Sequence, residues 1–162
     1  MKHSTFELVS MPLRLQEIIR EECEILTDIE FNALPHSRSF DRIIVTGGGS
    51  GAGDGLENIA IQIVAQKDNI NALQAKLRTA RSKLIGMLKY LISLDEIDRD
   101  TAKLMKFYYI DGRSIAEIAK ELHISCSTAY RRQRSGIAAI DKHIDTYPGQ
   151  IVPKRPIEEV QT

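Results

Sequence analysis

The chain is short of cysteine, of net charge and of long apolar runs, and each shortage excludes something. Two cysteines in 162 residues, Cys23 and Cys126, stand far apart with no pairing pattern. That argues against a disulfide framework and for a reducing cytosol. Cys126 precedes a helical run beside a candidate N-cap, where it reads as a small filler near a turn rather than a redox switch. No continuous apolar run occurs at the N-terminus or elsewhere, so neither a signal peptide nor a membrane span is expected. Lys+Arg and Asp+Glu balance at 22 each, which rules out a global polycation. The four histidines, His3, His36, His123 and His143, form no metal-binding spacing with the cysteines. No Ser/His/Asp or paired-carboxylate arrangement has a catalytic context, so no enzyme, cofactor or metal is expected. No Gly-Lys-Ser/Thr follows a glycine loop, which excludes a P-loop.

Gly51-Ala-Gly-Asp-Gly-Leu56 imitates a dinucleotide fingerprint. A fingerprint of that kind needs a βαβ unit, whereas here the following helical pattern is far too long and no further strand-like run appears. The balanced charge is unevenly spread. Acids gather early, at Glu17, Glu21, Glu22, Glu24, Asp28 and Glu30. Bases gather later, at Lys76, Arg78, Arg81, Lys83 and Lys89, and again near residue 132. The pattern predicts an acidic N-terminal segment and a nucleic-acid-facing C-terminal half.

Five segments follow from periodicity. Residues 1–33 read as an N-terminal amphipathic helix, with Met1–Ser10 a loose lead-in and Pro12 at the first helical position. Its stripe is Leu15, Ile18, Ile19, Ile25, Leu26 and Ile29, interrupted by Glu22. Residues 34–55 read as a Gly-rich flexible linker. Residues 56–94 read as one long helix. Leu56, Ile63, Ile70, Leu77, Leu84 and Leu91 recur every seventh residue, and Ile59, Gln66, Leu73, Ala80, Met87 and Leu94 follow three later. Such sustained heptads signal a coiled coil. Its stripe needs a cover, either the helix of Pro12–Phe31, a second copy, or both; a homodimer through the Leu56–Leu94 helix is the favoured expectation. Gln66 is the polar exception, suited to fixing register. Residues 147–162 read as a disordered tail.

Residues 95–146 carry the most specific signal. Asp95 or Asp98 is placed to cap a helix that bears Ala102, Leu104, Met105, Phe107 and Tyr108. Ser114 and Glu117 form a capping box. Ile115, Ile118, Ala119 and Leu122 then share one face of a short helix. His123-Ile124-Ser125 leaves room only for a tight connection, with Ser125 as N-cap of a second helix over about Cys126–His143. Buried positions expected there are Ala129, Ile137 and Ile140, with Gln133 a weak member. Ser127, Thr128, Arg131, Arg132 and Ser135 fall on other faces. This is a helix-turn-helix. From Gly112 to His143 six basic residues stand against three acidic ones, a local excess in a neutral chain. Arginine pairs bidentately with guanine or phosphate, and serine and threonine serve base edges or backbone. The expected DNA contacts are Arg113, Ser125, Ser127, Thr128, Tyr130, Arg131, Arg132, Arg134 and Ser135, with Arg131 and Arg132 leading.

The segment around Leu104-Met-Lys-Phe-Tyr-Tyr-Ile-Asp-Gly112, Ile115-Ala-Glu-Ile-Ala119, Ile124-Ser125 and Thr128-Ala-Tyr-Arg-Arg132 resembles region 4 of sigma-70-type factors. The whole layout resembles the phage- and prophage-encoded ArpU- and RinA-like transcriptional regulators. The resemblance implies an all-α fold with a C-terminal helix-turn-helix domain. It implies recognition of a promoter-like double-stranded DNA site in the host cytoplasm, with RNA polymerase a further contact. Bulkier apolar residues usually stand where this chain has Ala129 and Gln133, and no counterpart of the promoter-melting region is visible. Two other functions fit a helical chain of this kind. One is a phage small terminase subunit, which would form a ring of many copies. The other is a coiled-coil interaction protein with no DNA role.

Overall fold

The computed structural model describes residues 1–33 and 52–149; the side chains of 32, 33 and 52–57 also lie outside the description. Most of the segment expected as a Gly-rich linker therefore falls outside the described residues, as does the tail from residue 150. The described residues are all-helical, with α1 over His3–Ala33, α2 over Ala52–Ser93, α3 over Arg99–Tyr109, α4 over Ile115–Glu121 and α5 over Cys126–His143. A long helix followed by shorter ones is the architecture the heptads and caps predict. No strand occurs among the described residues, and the run before the glycine motif lies outside them. No helix among them is long and apolar enough to cross a membrane.

The chain divides into two compact units, residues 13–79 and residues 1–12 with those from 80 onward. In the first, parts of α1 and α2 lie side by side. Leu15, Ile70 and Leu77 are buried there. The two polar interruptions of the apolar stripes meet. The Gln66 amide donates to the Glu22 carbonyl oxygen at 3.1 Å and also to the Glu22 carboxylate. Lys67 pairs with Glu30 at 2.9 Å. In the second unit, Leu84, Met87 and Leu91 continue the heptad stripe and are wholly buried. From Ile70 to Leu91 the leading stripe is thus covered within one chain, and it is not the open seam that a dimer through α2 was expected to use. Leu94, the last expected member, is exposed because α2 ends at Ser93.

Two helix starts differ from expectation. The glycine segment before Leu56 already belongs to α2, which begins at Ala52. The second concerns Pro12, expected at the first helical position; it lies nine residues inside α1. A proline there removes one backbone hydrogen bond and crowds the preceding turn. Packing of the turns before it offsets that loss. Thr5, Val9 and Pro12 are buried. The Lys2 backbone N–H donates to Asp141 on α5, and the Thr5 hydroxyl donates to the same oxygen at 2.7 Å.

The three short helices form the helix-turn-helix domain. Asp98 accepts from the Thr101 N–H at 2.7 Å and caps α3. Asp95, the other capping candidate, has a positive φ of 54° and serves the turn instead. At the far end of α3, Gly112 takes φ 69°, the left-handed region that glycine adopts without penalty. Leu104, Ile115, Ile118, Ala119 and Ala129 make the core shared by α3, α4 and α5, flanked by Phe107, Tyr108, Leu122 and Ile124. Ala129 is fully buried, and its single methyl suits the close approach of α4 and α5. Gly136 and Ala139 are also buried, two core positions that the apolar pattern of α5 does not mark. A Cβ on Gly136 would lie 3.0 Å from the Met105 sulfur, so small residues set the spacing of α3 and α5.

Candidate nucleic-acid interface

The turn between α4 and α5 is built locally. Ser114 accepts from the Glu117 N–H, and the Glu117 carboxylate accepts from the Ser114 N–H at 2.9 Å, so the capping box is complete. The hydrogen bond from the Ser114 N–H, with one from the Ser114 hydroxyl at 2.8 Å, holds the Glu117 carboxyl below its usual range. Ile124 N–H donates to the Ala119 carbonyl at 2.9 Å. Ser125 then caps α5, accepting from the Thr128 N–H at 3.0 Å, and its hydroxyl lies 2.9 Å from that of Thr128. Both hydroxyls are therefore engaged in starting the helix.

His123 occupies the corner with φ 54° and an exposed side chain. A non-glycine residue in that region costs about 1–2 kcal/mol. Glycine removes that cost but loses roughly 0.5–1 kcal/mol through the freedom it gains unfolded. His123→Gly is therefore expected to raise stability by up to about 1 kcal/mol, read as a higher urea midpoint at unchanged slope. A fall of that size would show that the imidazole itself supports the turn.

α5 is pinned along its inner side. Arg132 pairs with Asp100 at 3.1 Å and with Asp98 at 3.7 Å. Hydrogen bonding from Thr101 holds the Asp98 carboxyl below its ordinary range, with Arg132 adding to it. The Gln133 amide donates to the Tyr109 hydroxyl at 3.2 Å. Burial raises the Tyr109 phenol above its ordinary value. Near the C-terminus of α5, Lys142 donates to Glu96 at 2.6 Å and the His143 ring nitrogen lies 2.9 Å from the same oxygen; the Lys142 hydrogen bond, with His143 beside it, holds the Glu96 carboxyl low. Asp141 is held low by the Lys2 N–H and the Thr5 hydroxyl.

These contacts leave the other side of the helix open. Ser127, Tyr130, Arg131, Arg134 and Ala138 are exposed and recur at i, i+3, i+4, i+7 and i+11, so they share one face; Ser135 is exposed beside them. Arg131 and Arg134 have no carboxylate within ion-pair distance among the described residues. Of the nine expected contacts, the structure brings Ser127, Tyr130, Arg131, Arg134 and Ser135 to this surface. It places the other four differently. Arg132 lies against the start of α3. Ser125 and Thr128 serve the cap. Arg113 pairs with Glu121 and has its guanidinium 4.8 Å from the centre of the Phe107 ring. Arg81, counted among the later bases, instead donates to the Ile110 carbonyl at the end of α3, at 3.3 Å. The pairing of Arg132 with α3 leaves no local signal, because its partners lie 32 and 34 positions earlier in the chain.

Among the described residues no group of His, Cys, Asp and Glu is arranged to hold a metal ion. Both cysteines are free thiols and exposed. Residues 34–141, two thirds of the chain, match the family described as Protein of unknown function (DUF1492), and the chain belongs to that family. Comparison with curated proteins and with solved structures finds no match. The family description assigns no activity.

Proposed function

We propose that this chain is a sequence-specific DNA-binding transcriptional regulator of phage type, acting through its C-terminal helix-turn-helix. One observation carries the reading: the capped second helix presents Ser127, Tyr130, Arg131 and Arg134 on one exposed face while its inner side is fixed to the domain. A recognition helix enters the major groove with its N-terminal half toward the base edges. In that pose Arg131 is the base reader, through the bidentate geometry arginine offers guanine. Arg134, Tyr130 and the serine hydroxyls take phosphates. Arg132 acts one step back, holding α5 against α3 so that its neighbours are aimed. RNA polymerase contact is part of the proposal on the strength of the sigma-like resemblance alone.

The test is selection of the pure protein on a random duplex library at physiological salt, followed by sequencing. An enriched motif is the expected result. Weak binding that selects no sequence and simply fades as salt rises would be the electrostatic background common to basic surfaces, and would overturn specific recognition.

A further inference from the structure

Between the end of α2 and α3, within the unit that holds residues 80 onward, lies an open groove of about 220 Å³. Ile85, Leu88 and Ile92 of α2 and Ala102 of α3 give it an apolar floor. The three α2 residues recur at i, i+3 and i+7, one face of the helix. Ile85 and Ile92 are half-buried, so the fold covers this face incompletely. Small-molecule sites usually hold about 300–1,000 Å³ and enclose their ligand. This groove is smaller and open, which suits the anchor side chains of another helix. Both walls are helices whose backbone groups pair internally, so an added strand would find no open donors there.

Charge identifies the occupant. The rim of the groove is Lys89 of α2 with Lys103 and Lys106 of α3, all exposed, and no acid lines it among the described residues. Over residues 80–93, α2 carries Arg81, Lys83 and Lys89 and no acid. Three acids close to the start of α3 are engaged by α5, Glu96 by Lys142 and Asp98 and Asp100 by Arg132. Lys103 lies 3.8 Å from Glu121, a carboxylate that Arg113 already holds. Lys89 and Lys106 have no carboxylate within ion-pair distance among the described residues. A phosphate backbone would satisfy these lysines but bring no apolar surface to the floor. A basic helix would cover the floor and meet repulsion at the rim. We infer that the groove receives an acidic amphipathic helix of a partner protein, its apolar anchors on Ile85, Leu88 and Ile92 and its carboxylates on Lys89, Lys103 and Lys106. The groove shares no residue with the face of Ser127, Tyr130, Arg131 and Arg134, so the inference stands independently of DNA binding.

Titration of the nitrogen-15-labelled full chain with synthetic peptides, followed by amide shifts, tests it. The probes are about 18 residues long, enough to hold a helix. The first carries leucines at i, i+3, i+4 and i+7 with glutamates between them, the second has lysines for the glutamates, and the third has serines for the leucines. The first is expected to shift the amides of residues 85–92 and 102–106 and to bind at least about tenfold more tightly than either of the others. Lys89→Glu/Lys106→Glu changes two exposed residues without ion pairs. It is expected to keep its helical circular dichroism and to bind the first peptide at least about tenfold more weakly, and raised salt should weaken the wild-type complex. No shift with the first peptide, shifts confined to the exposed face of α5, or equal binding of the lysine peptide would overturn the inference. So would shifts of the groove amides by a random DNA duplex, which would give the rim to phosphates, or on concentrating the protein alone, which would give the groove to a second copy.

Discussion

Arg131→Ala is expected to weaken binding to a selected DNA site by about 1–3 kcal/mol, roughly five- to 150-fold, and to relax preference at one base position. The magnitude is that of a bidentate pair between one guanidinium and one base, which alanine cannot replace. Arg131 lies on the exposed face, and no carboxylate engages it among the described residues, so nothing in the fold depends on its guanidinium. The unfolding midpoint should stay within the small range of surface substitutions, about 0.5 kcal/mol. Arg134→Ala separates the two roles proposed for this face. Removing a cation that serves a phosphate weakens binding to all sequences alike and lowers the salt dependence by about one unit of slope. Titration of each variant against the selected duplex and a scrambled one, at several salt concentrations, gives both readings. Equal weakening of Arg131→Ala on the two duplexes would assign it to phosphate and leave base readout without its leading residue.

How much of the structure is legible in the sequence differs from element to element, for physical reasons. The caps of α3, α4 and α5 at Asp98, Ser114 and Ser125 are legible because a cap joins groups three residues apart. Ile115, Ile118 and Ala119 are legible as a buried face for the same reason of locality. The heptads announce a long helix with an apolar stripe, but periodicity carries no information about which surface covers it. Here the leading stripe is buried within one chain from Ile70 to Leu91, while the exposed Ile61 and Val64 lie on other lines of α2. The start of α1 escapes the proline rule because that rule is local, whereas Thr5 is secured by Asp141, 136 positions away. Arg132 shows the limit at the site itself. On a helical wheel it sits beside Arg131 and has the same chemistry. One arginine finds Asp98 and Asp100 and the other finds solvent, a difference made only by the packing of α3 against α5. Gly136 and Ala139 escape notice because apolar patterning weighs large side chains, while close helix packing depends on small ones.

Ile118→Ala is expected to destabilise the helix-turn-helix domain by about 2–5 kcal/mol, the range for truncating a fully buried aliphatic side chain. Ile118 is 0% exposed and sits among Leu104, Ile115, Ala119 and Ala129, where α3, α4 and α5 meet. Its neighbours are fixed by caps at Ser114 and Ser125, so the helices have little freedom to close the cavity. That places the cost toward the upper part of the range. Natural domains carry only about 5–15 kcal/mol of total stability, so one such change removes a large share of it. The consequence for binding is opposite in kind to that of Arg131→Ala. At low temperature, where the variant still folds, the recognition face is intact and the selected motif is expected to be unchanged. As temperature rises, binding should disappear along the unfolding curve followed by circular dichroism. The two variants thus part the contribution of the surface from that of the core. A loss below about 1 kcal/mol for Ile118→Ala, the usual size of a surface change, would contradict the packing that aims α5.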